Sequence, residues 1–575
     1  MESGMGSGMG STVESGTPSG SSEATRGGSG RTGAGDPSGP AGADRVPVGG
    51  LTHRQVLVVF SGLMLGMLLA ALDQTIVATA LPTIVGDLHG LNELSWVVTA
   101  YLLTSTATAP LYGKVSDIYG RKRVFQFSIV VFLIGSALSG LSQSMGELIL
   151  FRGLQGLGAG GLLVLALTII GDIVSPRERG RYQGYFGAVF GVASVVGPVL
   201  GGALVDGPGW RWVFYVNLPI GIVALVVTSL VLKDTVARAR HRVDVEGAAL
   251  VVGGVSALLL VTVWGGSTYA WGSPTIIGLV LVGVALLVGF VLQERRAAEP
   301  LMPLGLFRLK VFNVSNTMGL VVGLAMFGVI IYLPLYLQVV HGYSPSTSGL
   351  LLLPLMAGLL IVSIASGSII TRVGRYKAWP IAGTALMTVS MVLFTQLGAH
   401  TSYLVFSGYA FVMGAGLGGV MQVLVLAVQN GVSYEYLGVA TSLSSFFRSM
   451  GGAFGTALFG SILTNRLTVE ITRLAPPGVP VARLAGAITG SPAALASLPP
   501  EIHHAAVEAF VRSLGTVFTY GVPIVAVSFV LSLVLPELAL RNSVRGSGSG
   551  SEEGVLDGAL AGAPDLQELG PIPGL

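Results

Sequence analysis

The segment Gly113-Lys114-Val115-Ser116-Asp117-Ile118-Tyr119-Gly120-Arg121-Lys122-Arg123 joins two long apolar runs. Its skeleton returns 254 positions later as Gly367-Ser368-Ile369-Ile370-Thr371-Arg372-Val373-Gly374-Arg375. A second echo, at a spacing of 258, pairs Gly156, Gly158, Gly161, Val174, Ser175 and Gly180 with Gly414, Gly416, Gly419, Val432, Ser433 and Gly438. A chain that repeats itself between apolar runs is a duplicated membrane protein. Of its 575 residues 51% are hydrophobic and only 10% charged, far from the quarter or so usual in soluble domains, so lipid is the expected solvent.

Crossing hydrocarbon as a helix takes about 20 apolar residues. Fourteen such runs can be drawn, centred within 55–81, 95–112, 124–143, 148–173, 184–205, 213–232, 246–266, 274–292, 313–338, 347–370, 378–398, 402–428, 438–463 and 514–536. Loops on the cytoplasmic side concentrate Lys and Arg. With the N-terminus placed there, 24 of the 31 basic residues fall on that side and five on the other, which favours an even number of spans and two cytoplasmic termini. The repeat assigns six spans to 51–232 and six to 313–540, leaving two spans inserted in the linker 233–312. The expected fold is all-α and integral to the membrane, two six-helix bundles plus two inserted helices. Parallel repeats of this kind build many secondary transporters, with the substrate held between the halves.

Outside the spans the chain says less. Residues 1–50 and 541–575 are Gly- and Ser-rich and are expected to be disordered tails. The loop 465–512 is too polar to span, and Glu501–Leu514 is expected to form an amphipathic helix on the outer face. There is no cysteine, and the seven His lack ligand spacing, so no metal is expected. The net charge of +3 sits in short clusters between apolar runs rather than along one face, which argues against nucleic acid as a partner.

Three ionisable residues lie well inside the spans: Asp73, Arg152 and Arg448. An ion at mid-membrane costs roughly 2.5–3.5 kcal/mol, so each needs a partner, a wet cavity or a function. Asp73 and Arg152 both fall in the outer half. Desolvation there favours a neutral acid and a guanidinium favours a charged one, so a cavity's occupancy can tip the balance. The alternative is a fixed ion pair that only aids insertion. Arg448 has no acidic residue in any second-half span to pair with, and packing against carbonyls stays open beside a functional role. Cavity candidates are Gln74, Trp96, Gln155, Asn316, Tyr332, Tyr336, Gln338, Gln422 and Arg448, since binding sites combine apolar walls with a few polar groups. Interhelical hydrogen bonding is the competing use of each amide.

Gly156 to Gly161 and Gly414 to Gly419 match a dinucleotide-binding pattern. Both lie inside apolar helical runs with no preceding strand, where small residues instead let helices approach closely. No Walker sequence and no nucleophile constellation is present, so neither an ATP engine nor an enzyme is expected.

Five segments taken in order resemble the fourteen-span drug:proton antiporters of the major facilitator superfamily, over roughly residues 51–540. Leu72 to Pro82 resembles the first-span motif and Gly113 to Arg123 the loop motif between spans two and three. Leu150 to Gly156 resembles the fourth-span motif, and Gly187 to Gly202 the exporter-associated fifth-span motif. Trp210 to Gly221 is similar to the start of the sixth span. The resemblance implies proton coupling at Asp73 and Arg152. It also implies a latch and gate at Gly113, Asp117, Gly120, Arg121, Arg123, Gly197, Pro198 and Gly201. One departure concerns cargo: relatives that export dications carry an extra second-half acid, and none is found here, which points to neutral or monovalent cationic hydrophobic compounds.

The expected function is proton-driven efflux of drugs, antibiotics or dyes across a bacterial inner membrane. A monomer suffices and the proton gradient is the sole energy source. A dedicated exporter of one metabolite, antibiotic or lipid is the nearest alternative, separable by a resistance panel of unrelated compounds. A non-transporting scaffold or receptor is the alternative of another class.

Overall fold

The computed structural model describes residues 53–88, 94–232, 244–266, 268–297, 299–474, 495 and 498–541. Both expected tails, apart from Arg541, therefore lie outside the described residues, as do linker residues 233–243 and loop residues 475–494.

The described helices are α1 (His53–Leu88), α2 (Leu94–Tyr119), α3 (Arg121–Leu141), α4 (Met145–Ile173), α5 (Pro176–Asp206), α6 (Trp212–Tyr215), α7 (Asn217–Val231), α8 (Val245–Trp264), α9 (Pro274–Glu294), α10 (Lys310–His341), α11 (Pro345–Leu350), α12 (Leu353–Val373), α13 (Ala378–Phe394), α14 (Tyr403–Gly431), α15 (Leu437–Leu474) and α16 (Pro500–Val534). Local chemistry sets several ends. Ser144 caps α4 by accepting from the Glu147 amide, and Pro176 and Pro274 open α5 and α9, where a missing N–H costs nothing. Gly342 and Gly374 close α10 and α12 in the left-handed conformation.

Eleven helical stretches are long and apolar enough to cross a membrane by length and composition, with α13 apolar but shorter. The long helices α2 and α15 are not among the eleven. α2 is interrupted by Thr and Ser, and α15 by Gly and Ser. The two pack against each other. Many large apolar side chains face outward, such as Leu230 at 81% and Leu404 at 82% exposure, a surface that only hydrocarbon satisfies.

The repeat is visible in the packing. In the first half α2 and α3 pack on α4, α1 packs on α5 and α7, and α3 packs on α7. In the second half the matching pairs are α12 and α13 on α14, α10 on α15 and α16, and α13 on α16. Two further matched pairs join the halves, α5 with α12 and α2 with α15. The inserted hairpin of α8 and α9 leans through α8 on α2 and α15.

Two details differ from the sequence reading. The stretch 501–514 is not a separate surface helix but the first turns of α16, continuous with the span and burying Ala506, Val507 and Phe510. α15 runs on to Leu474 and buries Leu467 and Ile471 in the same cluster, so the loop begins later than 465. An apolar stripe suited to a membrane surface suits a neighbouring helix equally well.

Gly120 joins α2 to α3 at φ 93°, and its repeat mate Gly374 sits at φ 76°. A side chain is strained at such angles, by about 1–3 kcal/mol. Gly120→Ala is expected to lower the apparent thermal midpoint of the purified protein by that equivalent, checked against an exposed Gly→Ala control.

Candidate functional site

A cavity of about 640 Å³ lies between the halves, walled by α1, α2, α4 and α5 on one side and α10, α12, α14 and α15 on the other. This is within the range of small-molecule sites. The wall is mainly apolar, with Met67, Phe190, Met326, Phe327, Met356 and Met421 among its side chains. Its polar groups include Gln74, Thr99, Thr106, Ser363, Gln422, Ser445 and Ser449. Its one charged residue among the described residues is Arg448. The wall extends to Gly266 after α8 and to Ser461 and Thr464 far along α15.

At the opposite, basic end the halves are pressed together, and repeat-related glycines meet. A Cβ on Gly113 of α2 would lie 2.6 Å from the Gly438 carbonyl of α15, and one on Gly180 of α5 would lie 2.9 Å from the Gly367 carbonyl of α12. Arg177 Nε donates to the Thr371 carbonyl at 3.0 Å, and Gln429 Nε2 to the Leu167 carbonyl at 3.3 Å. Arg121 pairs with Asp117 and, at 2.7 Å, with Asp172, binding the turn after α2 to the end of α4. Asp117 and Arg121 also lie against Gly438 near the start of α15, where a helix N-terminus favours the carboxylate. Arg123 lines a groove with Tyr112, Tyr119 and Phe127.

Gly197 and Gly201 serve a different contact. A Cβ on Gly197 would collide with Thr75, and one on Gly201 would lie 2.9 Å from the Ile76 carbonyl, so both let α5 close on α1 within the first half. Thr75 Oγ1 then donates to the Ala193 carbonyl at 2.9 Å. Pro198 faces the other half, where a Cβ on Gly349 of α11 would meet its ring at 3.5 Å.

Asp73 is fully buried among α1, α4 and α7. Its Oδ2 accepts from Arg152 Nη1 at 2.5 Å. Its Oδ1 accepts from Gln155 Nε2 at 2.8 Å and Asn217 Nδ2 at 3.0 Å. Arg152 also donates to Gln155 Oε1 at 2.8 Å and to the Val97 carbonyl at 3.3 Å, and its guanidinium lies 4.3 Å from the Tyr101 ring centroid. Asn217 Nδ2 reaches Ser136 Oγ at 3.1 Å, which donates to the Phe214 carbonyl. All three partners donate to Asp73, which suits an ionised carboxylate because that group only accepts.

Asp73 does not line the cavity, whereas its neighbours Gln74 and Thr75 do. The expectation that cargo and proton meet at this carboxylate is therefore corrected for this conformation. Consecutive helical residues point about 100° apart, and Asp73 points into its own bundle. Of the nine cavity candidates, Gln74, Gln422 and Arg448 line the cavity. Gln155 belongs to the Asp73 cluster, and Trp96 packs edge-on to Trp264. Tyr336 donates to the Gly398 carbonyl, Gln338 to Ser348, and Tyr332 is buried in the second-half core. Asn316 is buried and both its amide atoms lack a partner. Since the described wall holds no carboxylate, it offers a monovalent cation no counter-charge.

Ser136, Asn217 and Tyr101 complete the Asp73 cluster without having been singled out for it. Asn217, a lone amide in an apolar run, carried a usable signal; Ser136 carried none. Asn217→Ala removes one donor from a buried carboxylate, a loss of about 1–3 kcal/mol. The expected readout is a lowered thermal midpoint that Asn217→Gln does not fully restore, because the longer side chain misplaces the amide.

Two like bundles around a central cavity, closed at one end by matched glycines, define a two-half membrane carrier. The sequence model of the Major Facilitator Superfamily matches residues 63–456, and the chain belongs to that family. An uncharacterized MFS-type transporter of Mycobacterium tuberculosis strain H37Rv is 45% identical over 487 residues, covering 84% of this chain and 70% of that protein. The multidrug transporter protein MdtP of Bacillus subtilis is 38% identical over 508 residues, covering 84% and 94%. Among solved structures, the proton:xylose symporter XylE superposes with a TM-score of 0.54 at 13% identity, over 85% of this chain and 98% of that one, a likeness of fold. The protein is thus a multi-pass membrane transporter of small molecules rather than an enzyme.

Proposed function

We propose that this chain is a proton-coupled exporter of hydrophobic small molecules, working by alternating access. It would sit in a bacterial inner membrane with fourteen spans and both termini cytoplasmic, and a monomer would suffice. Bundles 51–232 and 313–540 would rock about the cavity, with 233–312 carrying the inserted pair. On the charge bias of the loops, the closed, basic end would lie at the cytoplasm and the cavity described here would face outward. The multidrug efflux after which relatives such as MdtP are named supports export of varied compounds.

The observation that carries the coupling is the buried Asp73–Arg152 pair one residue from the cavity wall. A proton arriving on Asp73 would cancel the charge that holds Arg152 and turn one acceptor of the cluster into a donor among groups that themselves donate, which loosens the pair. Released, α1 and α4 can shift against each other and move Gln74 and Thr75 in the wall. Coupling on this reading runs through helix movement rather than competition for one carboxylate. The test is a resistance profile in a pump-deficient host, with dye accumulation in inverted vesicles before and after a protonophore. Accumulation that persists after the gradient collapses removes the proton from the mechanism.

A further inference from the structure

Arg448 stands out by what it lacks. The other guanidinium deep within a span, Arg152, is held by a carboxylate, an amide and a carbonyl. Arg448 faces the central cavity, and among the described residues its side chain has no hydrogen bond or ion pair. It is the one charge in the described cavity wall, which contains no Asp or Glu. Other polar atoms of the same cavity wall are unspent. Ser445 Oγ, one turn before Arg448 on α15 and 5% exposed, has no partner, nor have Gln422 Oε1 on α14 and Ser363 Oγ on α12. The rest of the enclosure is mainly apolar.

Electrostatics then discriminates among occupants. A cation entering would meet an uncompensated positive charge in a medium of low dielectric, where repulsion is many times stronger than in water. A neutral apolar body would cover the guanidinium and strip its water without replacing it. An organic anion replaces that water with charge-assisted hydrogen bonds, and Ser445 and the Gln422 amide can bind its remaining oxygens.

We propose that the cavity takes amphipathic organic monoanions, the acid group seated on Arg448 and the apolar body against the Met- and Phe-lined wall. This rests on the export reading above for its consequence in transport, but binding can be read alone. Two fluorescent probes share one ring system: anilinonaphthalene sulfonate carries an anion and phenylnaphthylamine does not. Each is titrated against the full chain in lipid nanodiscs, over an empty-nanodisc blank. The sulfonate is expected to bind about tenfold more tightly than the neutral amine. Arg448→Gln should abolish that preference by weakening the sulfonate without weakening phenylnaphthylamine, whose retained binding also shows the cavity still folded, and Arg448→Lys should keep most of the preference. Equal affinities in the native chain, or a preference that survives Arg448→Gln, would overturn the proposal. Inverted vesicles separate the two readings. Proton-driven accumulation of both dyes without preference sinks the anion site and leaves export standing. A sulfonate preference in binding that Arg448→Gln abolishes, with neither dye accumulated, supports the anion site while export falls.

Discussion

Asp73→Asn is expected to reduce proton-driven dye accumulation in inverted vesicles by at least about tenfold while leaving dye affinity of the purified protein within about twofold. The split follows from geometry. The carboxylate is fully buried in its own bundle and absent from the cavity wall, so cargo contacts survive its loss. Arg152, 1% exposed, is left with an amide in place of a charge, and breaking a buried pair costs about 3–5 kcal/mol. Removing both charges with Asp73→Asn and Arg152→Gln should recover stability but not accumulation. Native accumulation in Asp73→Asn would make the pair structural, the alternative already open from sequence. Lost affinity in a folded Asp73→Asn would instead put the carboxylate in the binding site.

The second large effect is conformational. Gly367→Val puts a branched side chain against the Gly180 backbone, which cannot yield, and Gly113→Val does the same against Gly438. Overpacking of this kind costs about 1–3 kcal/mol, and here the cost falls only on the state with the basic end closed. The ratio of states should shift by about 5- to 150-fold toward opening at that end. The chain has no cysteine, so spin labels on Tyr119→Cys and Val373→Cys report the gap without background. Both positions are exposed and flank the closed end, one on each half. A widened distance distribution is expected in either glycine variant, and an unchanged one would show that the matched glycines do not gate.

The duplication was legible because Gly113 and Gly367, and Gly180 and Gly438, stand at fixed offsets. The structure adds that the partners are exchanged, Gly113 meeting Gly438 and Gly180 meeting Gly367. The Asp73–Arg152 contact was legible by depth along two antiparallel helices. Which side of α1 faces the cavity was not. α1 is apolar nearly all round, so no stripe told Gln74 from Asp73. The cavity residues were hard for a related reason. An amide in an apolar run serves helix contact as readily as ligand binding, and Gln155 and Gln338 do the former. Arg448 was visible as a charge without a partner, but only packing reveals that no carbonyl among the described residues takes it up either.

The anion site proposed at Arg448 also bears on the electrical character of the proposed cycle. One anion leaving for each proton entering carries two elementary charges across the bilayer in the same sense, each worth roughly 2.3 kcal/mol per 100 mV. Voltage alone would then support a concentration ratio of roughly a thousandfold. A carrier of cations with the same stoichiometry would be electrically silent. Cells with a well-polarised membrane and little pH difference would still run the anion exchange at full force.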